Sequence, residues 1–124
     1  MSPFDISSAR EFQKAKRLKR EQLLQNRFDA AKRDFELITQ MLIAKYNPQK
    51  IYQWGSLIAR EHFSEVSDID IALEGITNPE TYFKLLSEAQ SMSDFSLDIV
   101  EMEKIHPLHR EMIIRKGKLI YERS

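Results

Sequence analysis

The segment Asp68-Ile69-Asp70-Ile71-Ala72-Leu73-Glu74 alternates strictly, with Ile69, Ile71 and Leu73 on one side and Asp68, Asp70, Ala72 and Glu74 on the other. Side chains two apart on a strand share a face, so the pattern predicts a strand that carries both acids on one side and an apolar anchor on the other. Upstream lies Gly55-Ser56, directly after the apolar run Ile51-Tyr52-Gln53-Trp54. Downstream, Phe95-Ser96-Leu97-Asp98-Ile99-Val100 places a third acid in another strand-like run. Asp98 alternates with Leu97 and Ile99, so it leaves the face that those two bury.

The rest of the chain supplies helices to cover such strands. Leu24, Phe28, Ala31, Phe35, Ile38 and Leu42 recur at helical spacing. Residues 1–6 read as an extended start. Ser7 or Ser8 would cap a long helix, with Glu11 as the capping-box partner of Ser8. Asn47-Pro48 ends that helix, because the residue before proline avoids helical backbone. A helical turn is expected from Ser56 to about His62. Two further helices are expected, one from Thr77-Asn78-Pro79-Glu80 to about Ser91 and one over residues 107–116. Leu119-Ile120-Tyr121 closes the chain as a short strand. The predicted domains are an N-terminal helical extension over residues 1–46, packing on the core, and a core over 47–124, forming one unit overall.

A chain of 124 residues suits one modest core. Its 42% hydrophobic and 31% charged content is that of a soluble globular protein. No apolar run approaches the ~20 residues of a membrane span. Met1-Ser2-Pro3-Phe4-Asp5 lacks the pattern of a signal peptide. With no cysteine, thiolate chemistry and disulfides are excluded, and the cytoplasm is the expected compartment. The net charge is zero but unevenly spread. Residues 1–50 hold 11 Lys+Arg and 6 Asp+Glu, a balance of +5, and residues 51–124 hold 8 and 13, a balance of −5. The acidic half is where a metal site is expected.

Carboxylates are hard oxygen ligands, and Asp68, Asp70 and Asp98 together would need a divalent cation if their strands pair. A glycine turn before a helical segment lets phosphate approach backbone N–H groups, and the Ser56 hydroxyl adds a donor. Each part alone is more often a solvated strand face or an ordinary turn; their combination in order favours a nucleotide–metal site. No Walker A Gly-Lys-Ser/Thr occurs.

Other residues read more plainly. His106 and His109 fit helix capping or exposure better than a metal site, and His62 has at most a weak claim on phosphate. Arg60 is evenly balanced between phosphate and a salt bridge with Glu61 or Glu65. Trp54 reads as a core anchor. The basic run Lys14–Arg20 reads as a solvated helix face. Only Phe12 is aromatic nearby, so direct nucleic-acid binding is not expected. Phe12, Leu18 and Leu23 give the extension more apolar surface than a free helix needs, which predicts docking of a partner or a second copy.

These residues resemble the polymerase-β-type nucleotidyltransferase superfamily. The similarity spans roughly residues 35–124 through Gly55-Ser56 with Ala59-Arg60, Ser67-Asp68-Ile69-Asp70, Leu97-Asp98-Ile99-Val100 and the end Ile113–Tyr121. Within it the chain is similar to the small MNT-type (minimal nucleotidyltransferase) proteins, antitoxin partners of HEPN-type toxins. It departs at Glu61, where many relatives have glycine. The resemblance implies an α+β fold, a mixed β-sheet flanked by helices, with the long N-terminal helix added. It implies two Mg²⁺ ions on Asp68, Asp70 and Asp98, the last also helping to deprotonate the acceptor. It further implies ATP as substrate, its triphosphate held by Gly55 and Ser56; Arg60 and Ser67, flanking the loop between the Gly-Ser turn and the acids, are taken as further candidate nucleotide contacts.

Three functions follow. The first is transfer of AMP from ATP to a hydroxyl, tyrosine foremost, of a HEPN-type toxin. The second is a non-catalytic antitoxin that neutralises a toxin by direct complex formation. The third is the nucleotide-binding subunit of a two-chain small-molecule nucleotidyltransferase.

Overall fold

The computed structural model describes residues 5–124, so the extended start expected over residues 1–6 lies, up to Phe4, outside the described residues. Helix α1 (Ile6–Tyr46) leads into β1 (Lys50–Trp54), followed by two 3₁₀ turns, Ser56–Ile58 and Arg60–His62. Then come β2 (Ile69–Glu74), α2 (Pro79–Gln90), β3 (Leu97–Glu101), α3 (Pro107–Lys116) and β4 (Lys118–Glu122). The sheet order is β3-β2-β1-β4. β1 pairs antiparallel with both β2 and β4, while β2 and β3 are parallel, joined over α2. This is the mixed sheet flanked by helices that the resemblance implies.

The caps follow local chemistry. Asp5, rather than Ser7 or Ser8, caps α1, its carboxylate accepting from the Ser7 N–H at 3.0 Å. Asp5 has the extended backbone of an N-cap, and its carboxylate supplies an acceptor to a first-turn N–H that has no partner within the helix. Asn47 ends α1 in a left-handed conformation, and its N–H donates to the Leu42 carbonyl. Asn78 caps α2 with Pro79 next to it, and His106 Nδ1 caps α3 by accepting from the Leu108 N–H. The helical turn expected over Ser56–His62 is split at Ala59, whose extended backbone separates the two 3₁₀ turns.

The main core lies on one sheet face. Phe28, Ala31, Phe35, Ile38 and Leu42 of α1 pack there with Ile51, Ile69, Ile71, Leu73, Leu85 and Ile99. Ile38 is fully buried in that layer. Truncating it to alanine is expected to cost about 2–5 kcal/mol, read as a lowered urea midpoint at unchanged slope. The opposite face is not the solvated one that the alternation of β2 suggests. Ala72 is fully buried there with Tyr52, Met102 and Ile113, because α3 folds back over that side. At one end of this face Trp54 and Asp70 are partly buried and Asp98 is exposed.

No helix among the described residues is long and apolar enough to cross a membrane.

Candidate functional site

The strand register brings the acids together. Asp70 on β2 is paired with Asp98 on β3 and, on its other side, with Trp54 on β1. Trp54, Asp70 and Asp98 therefore form one row across three strands on the face that α3 partly covers. Asp68 directly precedes β2 and is exposed, as is Asp98, whereas Asp70 is half-buried between them. Sequence spacing alone put Asp68 beside Asp70; the parallel pairing of β2 with β3 adds Asp98.

The Gly55 turn closes on the same row. Gly55 has φ +81°, a conformation that side chains disfavour, and a Cβ built there would lie 2.1 Å from Asp70 Oδ2. The turn and the central acid are thus in contact, and only glycine permits it. Ser56 starts the following 3₁₀ turn, and Leu57 buries itself in the core, anchoring the loop.

Electrostatics at the row is uncompensated. Burial, followed by the charges of Asp98 and Asp68, pushes the Asp70 carboxyl from 3.8 up to about 6. Among the described residues none of the three carboxylates forms an ion pair. Nor is any group of three or more His, Asp or Glu side chains among them placed so that it could hold a metal ion. Three unpaired carboxylates, two in strand register and the third two residues from Asp70, are oxygen donors of the kind a hard divalent cation takes, but as placed they do not enclose one. That cation would supply the attraction that their mutual repulsion lacks.

This shift has a measurable consequence for the metal-free protein. Asp70 holds its proton more tightly folded than unfolded. Its stabilising contribution is therefore fully present below the ordinary carboxyl range and is lost as pH rises through about 6. Asp70→Asn is expected to melt higher than the wild type at neutral pH without metal, the gap closing as pH falls below about 4. Equal melting at neutral pH would show that the charge is already compensated.

Two residues grouped with this site by sequence have other partners. Arg60 turns toward α1: its Nε donates to Gln25 Oε1 at 3.0 Å and its guanidinium lies 3.5 Å from Glu21. Its ion-pair partner is thus Glu21 rather than Glu61 or Glu65, a contact across 39 residues that local spacing does not reveal. Ser67 Oγ accepts from the Ser64 N–H at 2.8 Å and so closes the loop before β2. Trp54 is partly buried against the second cluster and meets His109 edge-to-face, the ring centroids 5.0 Å apart.

Sequence reasoning missed what continues the row beyond Gly55. A cavity of about 440 Å³ opens there, lined among others by Trp54, Ile58, His62, Met112 and Lys116. Its walls come from β1, the 3₁₀ turns and α3, segments separated by up to about 60 residues, so no local pattern marks it.

The family described as "Polymerase beta, Nucleotidyltransferase" matches residues 36–124. The chain belongs to this family. Solved structures share its fold. A crystal structure of the toxin–antitoxin MntA-HepT contains a chain with 20% identity and a TM-score of 0.57, covering 74% of this chain and 73% of that one. A crystal structure of the toxin–antitoxin with AMP-PNP gives 22% identity and a TM-score of 0.59 over 72% and 74%. A complex of tri-AMPylated Shewanella oneidensis HEPN toxin with MNT antitoxin gives 20% and 0.56 over 75% and 73%. No curated protein sequence matches the chain. For this nucleotidyltransferase, residues 5–35 are described by the structure but lie outside the matched family region.

Proposed function

We propose that this nucleotidyltransferase transfers AMP from ATP to a hydroxyl, tyrosine foremost, of a HEPN-type toxin in the cytoplasm, and so acts as its antitoxin. The observation that carries this reading is the Asp70–Asp98 register pair closed by the Gly55 turn. Family membership supports nucleotidyl transfer, and similar folds occur in toxin–antitoxin complexes, one with AMP-PNP and one with an AMPylated toxin.

In this reading Asp68, Asp70 and Asp98 would hold Mg²⁺, which when bound neutralises the triphosphate and polarises its α-phosphate. Gly55 and Ser56 present backbone N–H groups and a hydroxyl to the phosphates. The acceptor oxygen attacks the α-phosphorus and the bond to the bridging oxygen of the β-phosphate breaks. Pyrophosphate leaves, and the hydroxyl proton passes to the exposed Asp98 carboxylate. Asp70, half-buried and in register with Asp98, sets the spacing between the base and the phosphate held at the Gly55 turn. Ser67 contributes by holding the loop before β2. Arg60 would reach the triphosphate only by releasing Gln25 and Glu21.

That restraint on Arg60 is the observation that favours the second reading, a binder that neutralises the toxin without transfer. The test mixes the protein with Mg²⁺, ATP labelled at the α-phosphate and a purified HEPN-type toxin. Label on the toxin, with loss of its toxicity, is the expected result. Neutralisation without label, unaltered by omitting ATP, would select the binder instead.

A further inference from the structure

Given the AMP transfer proposed above, on which this rests, we infer that Lys116 at the end of α3 holds the leaving pyrophosphate, assisted by His62. When pyrophosphate departs, new negative charge falls on the oxygen that bridged the α- and β-phosphates, and a cation placed there stabilises it. Arg60 follows the Gly55 turn in sequence but is engaged elsewhere. Its Nε donates to Gln25 Oε1 at 3.0 Å and its guanidinium lies 3.5 Å from Glu21. Lys116 and His62 are the basic residues that line the cavity beyond Gly55.

Strand pairing puts Lys116 in this place. β4 begins at Lys118, which pairs with Gln53 on β1. Lys116 and Gly117, just before it, therefore lie beside Trp54 and Gly55, on the side of β1 away from β2. Gly117 permits a close fit: a Cβ there would lie 2.8 Å from the Gln53 carbonyl oxygen, so the end of α3 is held against the end of β1. Across the sheet the order is Asp98, Asp70, the Gly55 turn and then Lys116. An in-line displacement needs that order, with the proton acceptor at one end, the phosphate chain at the turn and the leaving group at the far end.

The two ends also differ in charge. Asp68, Asp70 and Asp98 make one end acidic, whereas among the described residues no carboxylate lines the cavity at the other. The cavity walls are otherwise apolar, Trp54, Ile58 and Met112 among them, and such walls focus the field of a single sign of charge. Among the described residues Lys116 forms no ion pair, so its ammonium is not already committed to an acid. In the step itself the acceptor oxygen bonds to the α-phosphorus and its proton passes to Asp98. The electron pair of the broken bond stays on the former bridging oxygen, and the pyrophosphate that carries it accepts hydrogen bonds from Lys116 Nζ and from the His62 ring.

Lys116 is exposed, so its truncation opens no core cavity. Trp54 is the only tryptophan and lines the cavity, so its fluorescence follows binding there. With Mg²⁺ present, Lys116→Ala is expected to weaken a non-hydrolysable ATP analogue by about 10–100-fold and to leave AMP, which lacks the β- and γ-phosphates, within about 2-fold. Lys116→Arg is expected to restore binding of the analogue. Equal losses for AMP and the analogue, no loss for either, or a larger loss of the analogue from Arg60→Ala than from Lys116→Ala would each overturn the inference. If the expected pattern is found but the wild type puts no label on the toxin, the transfer reading fails while Lys116 stands as the contact for the phosphate tail. If the wild type binds neither nucleotide, both fail.

Discussion

Replacing Asp98 by alanine is expected to lower AMP transfer by about 10³-fold while leaving the complex with the toxin intact. The carboxylate is exposed at the end of a three-strand row, so its removal opens no core cavity, and the backbone of β3 is retained. On the proposed mechanism, the loss is that of a proton acceptor for the attacking hydroxyl and of one oxygen ligand offered to the cation. General-base catalysis contributes typically about 10²–10⁴-fold, and a positioned charge in a phosphoryl-transfer site adds to it. The measurement is single-turnover transfer of labelled AMP to the toxin, run beside a pull-down of the same toxin. Loss of transfer with retained binding supports the catalytic role. Transfer within a few-fold of wild type would remove Asp98 from the chemistry and leave Asp68 and Asp70 to be reassigned.

Gly55→Ala is expected to reduce nucleotide binding by about 100-fold, and for two separable reasons. A Cβ at residue 55 would sit 2.1 Å from Asp70 Oδ2 and 2.8 Å from its Cγ, so the central carboxylate must move away from the turn and leave its place in the row. The backbone also holds φ +81°, which costs an alanine about 1–2 kcal/mol. The clash disturbs the site as well as folding, whereas the strain acts on folding alone. Titration calorimetry with Mg²⁺ and a non-hydrolysable ATP analogue reads the former, and denaturant unfolding without ligand reads the latter. The double variant Gly55→Ala with Asp70→Ala separates them: removing the carboxylate relieves the clash but not the strain. Stability that recovers only partly in the double variant is the expected pattern. Unchanged nucleotide affinity in Gly55→Ala alone would show that the turn does not touch the phosphates.

The elements were legible because each is written locally. Strand β2 shows in its strict alternation, α1 in the spacing of Leu24 to Leu42, and the helix stops in Asn47-Pro48 and Gly117. Local backbone preference and burial periodicity act over a few residues, so the sequence alone suffices for them. The closeness of Asp68 to Asp70 was legible too, since the two are only two residues apart, although β2 starts at Ile69 and so leaves Asp68 just before the strand that the alternation predicts to contain it.

What joins distant segments was decided by the tertiary structure. The crossover over α2 set β3 parallel to β2, and only that pairing put Asp98 in register with Asp70. The return of α3 buried Ala72 on a face that its alternation with acids marked as solvated. Arg60 went to Gln25 and Glu21 because α1 extends far enough back to meet it, a partnership that no spacing within the Gly55–Asp68 loop encodes. The sequence by itself thus determined the strands, helices and chemical groups, through interactions among near neighbours. The sheet order decided which of those groups meet, because hydrogen-bond register and close packing act between chains of atoms far apart in sequence.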